Sequence, residues 1–127
     1  MGPTRPQDVA LEFSTALAEG DLPRALACFE PGASLYASPE RLAKGTDAVE
    51  SILATWIGQR ARLHVQAPFW TPDEAEETAL LYSRWSLEMP AVPAPLMGVG
   101  VEVVRKGADG RWRYLLHDLW GAFHLPV

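Results

Sequence analysis

Cysteine is nearly missing from this chain. Cys28 stands alone among 127 residues, so no internal disulfide can form and a reducing compartment is the expected setting. Its neighbours Leu26, Ala27 and Phe29 are apolar, which fits an inert buried thiol rather than a nucleophile. Asparagine is absent and arginine outnumbers lysine nine to two, a bias that a hot habitat or a skewed genome would each produce. Positive charge is also short: 11 Lys and Arg against 16 Asp and Glu leave a formal charge of -5. Phosphate recognition relies on clustered cations, so no nucleic-acid partner is expected. The densest basic group, Arg105, Lys106, Arg111 and Arg113, flanks a turn and reads as solvated hairpin ends.

Long apolar runs are missing too, and none approaches the ~20 residues of a membrane span. Met1 to Asp8 lacks the apolar stretch of a signal peptide, and Pro6 occupies the position where myristoylation wants Ser or Thr. A soluble, cytoplasmic protein without a membrane partner is the expectation. His64, His117 and His124 share no ligand spacing, and neither HxxxH nor CxxC occurs, so no metal is expected. No P-loop, Rossmann glycine pattern or GxSxG elbow is present, and no cofactor is expected. The acidic run Asp73, Glu74, Glu76 and Glu77 lies beside a turn and reads as solvated.

The residues that are present outline an α+β chain. Val9, Phe13, Ala16 and Leu17 recur at helical spacing over residues 6 to 18, and Gly20-Asp21 both ends that helix and caps the next. Leu22, Ala25, Leu26 and Phe29 share a second helical face that Pro31-Gly32 ends. Ala33 to Ala37 reads as a short strand and Ser38 to Gly45 as a loop. Asp47 and Glu50 have capping-box spacing before a third helix, with Val49, Ile52, Leu53, Trp56 and Ile57 as its stripe and Gly58 as its end. Four strands follow: Arg60 to Ala67, Glu77 to Met89, Leu96 to Lys106 and Arg111 to Trp120. Thr71-Pro72-Asp73 and Ala108-Asp109-Gly110 mark turns, and Pro90, Pro93 and Pro95 a stiff connection. Short turns between consecutive strands demand antiparallel pairing. The length fits one domain, its core spanning about residues 7 to 121, with helices gathered on one face of a curved sheet.

This order, together with Phe13-x-x-Ala16-Leu17-x-x-Gly20-Asp21, the Gly45-Thr46-Asp47-Ala48-Val49 helix start and the Gly110-Arg111-Trp112 hairpin, resembles the NTF2-like superfamily. That group includes ketosteroid isomerases, SnoaL-like cyclases, limonene epoxide hydrolases and scytalone dehydratases. The resemblance implies a cone-shaped domain, a curved antiparallel sheet enclosing a pocket with three helices of the N-terminal half, and a homodimer through the outer sheet face. It does not transfer an activity. Ketosteroid isomerases use a Tyr donor, a general-base Asp and a protonated Asp donor. Those positions fall on Phe13, on or near Ser38, and near Val101, so that catalytic set is missing here.

On the last strand Trp112, Tyr114, Leu116, Asp118 and Trp120 share one face in regular alternation, and the resemblance points this set into the pocket. Asp118, between Leu116 and Trp120, becomes the candidate general acid or base, against the alternative that it is paired with a cation or accepts backbone donors near the strand end. His117 faces away if the strand is regular, and a bulge would reverse that. The resemblance also puts Tyr82, Arg84, Ser86 and Glu88 on the pocket side of their strand, whereas the apolar pattern puts Leu81, Trp85 and Leu87 there. Phe13, Tyr36, Trp56, Trp70, Trp112 and Trp120 are candidates to line an apolar cavity or to fill it as core, with Tyr36, Ser38 and Arg84 as further polar candidates. Two readings stay open: a protein binding a hydrophobic small molecule, with proton-transfer chemistry such as isomerisation, cyclisation or dehydration, or a non-catalytic binding or dimerisation module.

Overall fold

The structure, a computed structural model, describes residues 2–72 and 75–121, without the side chains of 67–70 and 72. Helix α1 spans Val9–Ala18 and α2 spans Leu22–Leu26. Between them Gly20 takes φ +69°, and the Gly20 and Asp21 amides bond back to Leu17 and Ala16. This left-handed exit suits glycine. Asp21 then caps α2, its Oδ1 accepting the Arg24 amide at 3.1 Å. Helix α3 spans Thr46–Gly58 and buries Val49, Ile52, Leu53 and Trp56. No capping box starts it. Gly45 is the N-cap at φ 89°, and Thr46 Oγ1 donates to the Pro31 carbonyl at 3.0 Å instead.

The strands are β1 (Phe29–Ser38), β2 (Arg41–Lys44), β3 (Arg62–Pro72), β4 (Thr78–Glu88), β5 (Leu96–Lys106) and β6 (Trp112–Asp118). They form one sheet in the order β2-β1-β6-β5-β4-β3. The sheet is mixed rather than wholly antiparallel, because β1 runs parallel to β6. The long path from β1 through α3 and three more strands allows that parallel return, which a short turn could not make. β2 falls in the segment expected as a loop, and β1 begins before Pro31-Gly32 rather than after it.

Six strands at ~4.8 Å spacing make a sheet far wider than one helix. Yet α1 touches edge strand β3 and also β6, α3 touches β1 and β2 at the other edge, and the two helices touch each other. The sheet therefore bends round them. Its inner face carries Leu35, Ala79, Leu81, Trp85, Val104, Trp112 and Tyr114, all buried against Phe13, Leu17, Leu53 and Trp56. The inner face of β5 is bare at Gly98, where an added Cβ would lie 2.8 Å from the Trp85 ring. The indole lies over that gap and donates from Nε1 to the Leu119 carbonyl at 2.6 Å. Trp120 meets it edge-on at 5.0 Å. Glycine here makes room for the neighbouring strand's tryptophan.

Candidate functional site

Three polar side chains lie inside this largely apolar interior: Ser83 on β4, Glu102 on β5 and His117 on β6, each 1% exposed. Glu102 and His117 are directly opposite each other across the β5–β6 ladder, and Leu81 stands opposite Glu102 on the other side. All three therefore share the inner face. Ser83 Oγ donates to Glu102 Oε2 at 3.3 Å. Among the described residues no cation pairs with this carboxyl, since the Arg and Lys ion pairs go to Asp8, Glu12, Glu19, Glu30 and Asp109. Burial away from water raises Glu102 from 4.5 to about 8, partly opposed by the Ser83 hydrogen bond and reinforced by the charge of Asp118. At neutral pH it is a carboxylic acid, able to donate a proton or a hydrogen bond.

His117 is held by rings. Its centroid lies 4.5 Å from Tyr114, 5.1 Å from Phe13 and 5.8 Å from Phe29. Burial lowers it to about 3, so the imidazole is neutral, and its buried Nδ1 has no hydrogen-bond partner among the described residues. The Tyr114 hydroxyl is likewise pushed well above its ordinary value by burial. A neutral acid and a neutral imidazole are thus ladder neighbours in a low-dielectric interior.

A bulge produces this arrangement. Val103 pairs with Leu116 and Val104 with Tyr114, so one step along β5 spans two along β6 and Leu115 is the extra residue. Trp112 and Tyr114 point inward, and beyond the bulge so do His117 and Leu119, which are buried. The regular alternation expected for the last strand is corrected here. Leu116 and Asp118 pass to the outer face, opposite Val103 and Val101. Asp118 is 8% exposed and its Oδ1 accepts the Trp120 amide at 3.0 Å, a turn-forming role at the strand end.

The other candidates divide by face. Phe13, Trp56, Trp112 and Tyr114 are in the core, and Trp120 is half-buried beside Trp85. On β4 the apolar pattern prevails over the placement that the resemblance implies. Leu81, Ser83, Trp85 and Leu87 are buried, while Tyr82 and Arg84 are exposed on the outer face. Val101, opposite Tyr82, is on that outer face as well. Tyr36 is half-buried on the face of β1 opposite buried Leu35, and Ser38 is half-buried at the strand end. The Trp70 side chain, Asp73, Glu74 and His124 lie outside the described residues. Cys28 is 2% exposed, and burial pushes its thiol up to about 12. Among the described residues no group of three or more His, Cys, Asp or Glu is placed to hold a metal ion, and no helix is long and apolar enough to cross a membrane.

Glu102 is the residue that sequence reasoning missed. Val99, Val101 and Val103 make their face of β5 the more apolar, so alternation alone aims Glu102 outward. The available signal was Gly98 and Gly100 on the face of Glu102. At Gly100 a Cβ would lie 3.1 Å from the Asp118 carbonyl oxygen and 3.2 Å from Glu102 Oε1. That face is bare because its volume is filled by the indole of Trp85 and the backbone after β6.

No family model and no curated protein sequence matches the chain. Solved structures do. A Thiobacillus denitrificans protein provisionally assigned as a calcium/calmodulin-dependent protein kinase type II association domain superposes with TM-score 0.75 at 21% identity, covering 93% of this chain and 94% of that one. A provisional dehydratase of the NTF2-like family from Streptomyces avermitilis gives 0.74 at 15% identity, covering 86% and 87%. A ketosteroid isomerase-like protein from Erwinia carotovora atroseptica gives 0.64 at 16% identity, covering 88% and 89%. The chain has the NTF2-like fold, an α+β architecture that other such neighbours describe as cystatin-like. The neighbours' dissimilar descriptions are in keeping with a fold that hosts unrelated functions.

Proposed function

We propose that the chain binds a small apolar molecule bearing a carbonyl or hydroxyl oxygen and catalyses proton transfer on it, with Glu102 as the acid and His117 as its neutral partner. The observation that carries this reading is a carboxyl 1% exposed, raised to about 8, and facing no cation among the described residues. Isomerisation, cyclisation and dehydration are each built on such a transfer. A panel of apolar ketones and enones incubated with the protein in heavy water tests it, with deuterium at the α-carbon read by mass spectrometry. Glu102→Gln should lower exchange by about 100-fold, while Asp118→Asn stays within about threefold because Asp118 is on the outer face. Exchange untouched by Glu102→Gln rejects the role.

A second reading, a non-catalytic binding module, is favoured by one observation. Phe13, Phe29, Tyr114 and His117 contact one another at 4.5 to 5.8 Å and so occupy much of the interior themselves. Co-purification of an apolar ligand without exchange on any probe would support it. In both readings a second copy covers the outer sheet face, where Tyr82, Met97 and Val99 are 39%, 73% and 41% exposed beside half-buried Val101, Val103 and Leu116. Val99→Arg should then convert a dimer to a monomer in sedimentation. A wild-type chain that sediments as a monomer at tens of micromolar removes the dimer.

A further inference from the structure

We propose that residues 2–8 form a detachable strap across one end of the cone, whose release uncovers a groove floored by Trp112. The segment is seated lightly. The Pro3 carbonyl accepts the Trp112 amide at 2.9 Å, the Gly2 carbonyl accepts from the Arg111 guanidinium at 2.9 Å, and Pro6 is buried. Pro3 and Pro6 have no N–H to return, so the strap cannot extend into a second ladder beside β6. Its ion pair, Arg5 to Asp8 at 2.7 Å, lies wholly within the segment and ties it to nothing else. The short 3-10 turn at Pro6–Asp8 touches β3, β4 and β5, and there Gln7 Oε1 has no hydrogen-bond partner among the described residues.

The surroundings are open on both sides. A cleft of about 570 Å³ lies between the strap, α2 and the β5–β6 hairpin, lined by Gly2, Pro3, Arg24, Cys28, Arg111 and Trp112 among others. A second, of about 690 Å³, lies on the opposite side, lined by Thr4 to Gln7, Lys106 and Trp112 among others. Trp112 is common to both, and the strap is what separates them. With the strap released, the two clefts join over Trp112, which is 5% exposed while the strap is seated and belongs to the same core as Phe13 and Tyr114. This inference stands apart from the chemistry proposed for Glu102.

Amide hydrogen exchange on the full chain tests it. Trp112, whose amide is held by the strap, should exchange at least about 100-fold faster than Tyr114, whose amide is held by the Cys28 carbonyl at 2.7 Å, and without dependence on low denaturant. Arg111→Ala should speed exchange at Trp112 by about tenfold and leave Tyr114 unchanged. Equal rates at Trp112 and Tyr114, both falling under global unfolding, would overturn the strap. A chain lacking residues 1 to 5 should also bind an apolar fluorescent dye several-fold more strongly. Unchanged dye binding by that folded variant overturns the groove, and if the truncation fails to fold, the Arg111→Ala exchange result decides.

Discussion

Stability measured by urea denaturation is expected to be greatest between about pH 4.5 and 6.5 and to fall on both sides, with a different buried side chain responsible for each limb. Glu102 keeps its proton in the folded chain up to about pH 8, whereas the ordinary carboxyl of the unfolded chain releases it near 4.5. Between those values the native state binds the extra proton, so the stabilisation is whole below 4.5 and is lost as pH rises toward 8. That gap is worth roughly 4–5 kcal/mol at 1.36 kcal/mol per pH unit. His117 works in the opposite direction. It stays neutral in the folded chain down to about pH 3, while the unfolded imidazole takes a proton below 6.5. Stability is therefore lost as pH falls from 6.5 toward 3, by a similar amount. From 4.5 to 6.5 the two slopes cancel. Below about 4.5 the acid limb steepens, because Arg24 and Arg113 hold the Glu12 and Asp109 carboxylates below their usual range. Glu102→Gln should erase the decline between pH 6.5 and 8, gaining roughly 2–5 kcal/mol at pH 8 and little at pH 5. His117→Gln should weaken the acid limb below 4.5 to its carboxylate part and leave stability rising as pH falls from 6.5 to 4.5, where the Glu102 slope is no longer cancelled. A decline between pH 6.5 and 8 that survives Glu102→Gln would show that the carboxyl is not the buried acid described above, whereas Cys28 adds its own loss only above about pH 9.

The sequence disclosed the fold more fully than the site, for reasons visible in particular residues. Phe13, Ala16 and Leu17 repeat at helical spacing because one stripe of α1 packs into the core, and Gly20-Asp21 marks its end by backbone chemistry that is local. The family resemblance supplied the curvature, which no local pattern encodes. Pro31-Gly32 misled because β1 passes through it. The β1–β6 register shifts between Phe29 and Ser34, so the proline and glycine sit in an irregular stretch that needs no continuous ladder. Face assignments depend on register, and register depends on partners. Where both faces of β4 and β5 carry apolar residues, period-2 reading cannot say which meets the helices. On β4 the larger side chains, Leu81, Trp85 and Leu87, still marked the core correctly. On β5 the valines did not, because the inner volume is supplied by Trp85 from the neighbouring strand. Glu102 was hidden by that substitution, and His117 by a single inserted residue.

That insertion gives the sharpest test of the site. Deleting Leu115 removes the extra residue and restores strict alternation along β6, with both flanks keeping their partners: Tyr114 stays opposite Val104, Leu116 opposite Val103 and His117 opposite Glu102. His117 therefore stays inward and Asp118 outward. The cost should be close to that of Leu115→Ala, which trims the same half-buried side chain, about 1–2 kcal/mol. In a strand without a bulge the same deletion would carry every side chain on one side of it to the other face. The buried imidazole or two aromatic rings would then leave the core, at a cost of at least about 4 kcal/mol. NMR separates the outcomes, because an inward His117 stays neutral far below 6.5 and one turned to solvent titrates near 6.5. A deletion variant far less stable than Leu115→Ala, with its faces exchanged, would mean that no bulge sets the inward face of β6. His117 and Glu102 would then have no reason to meet.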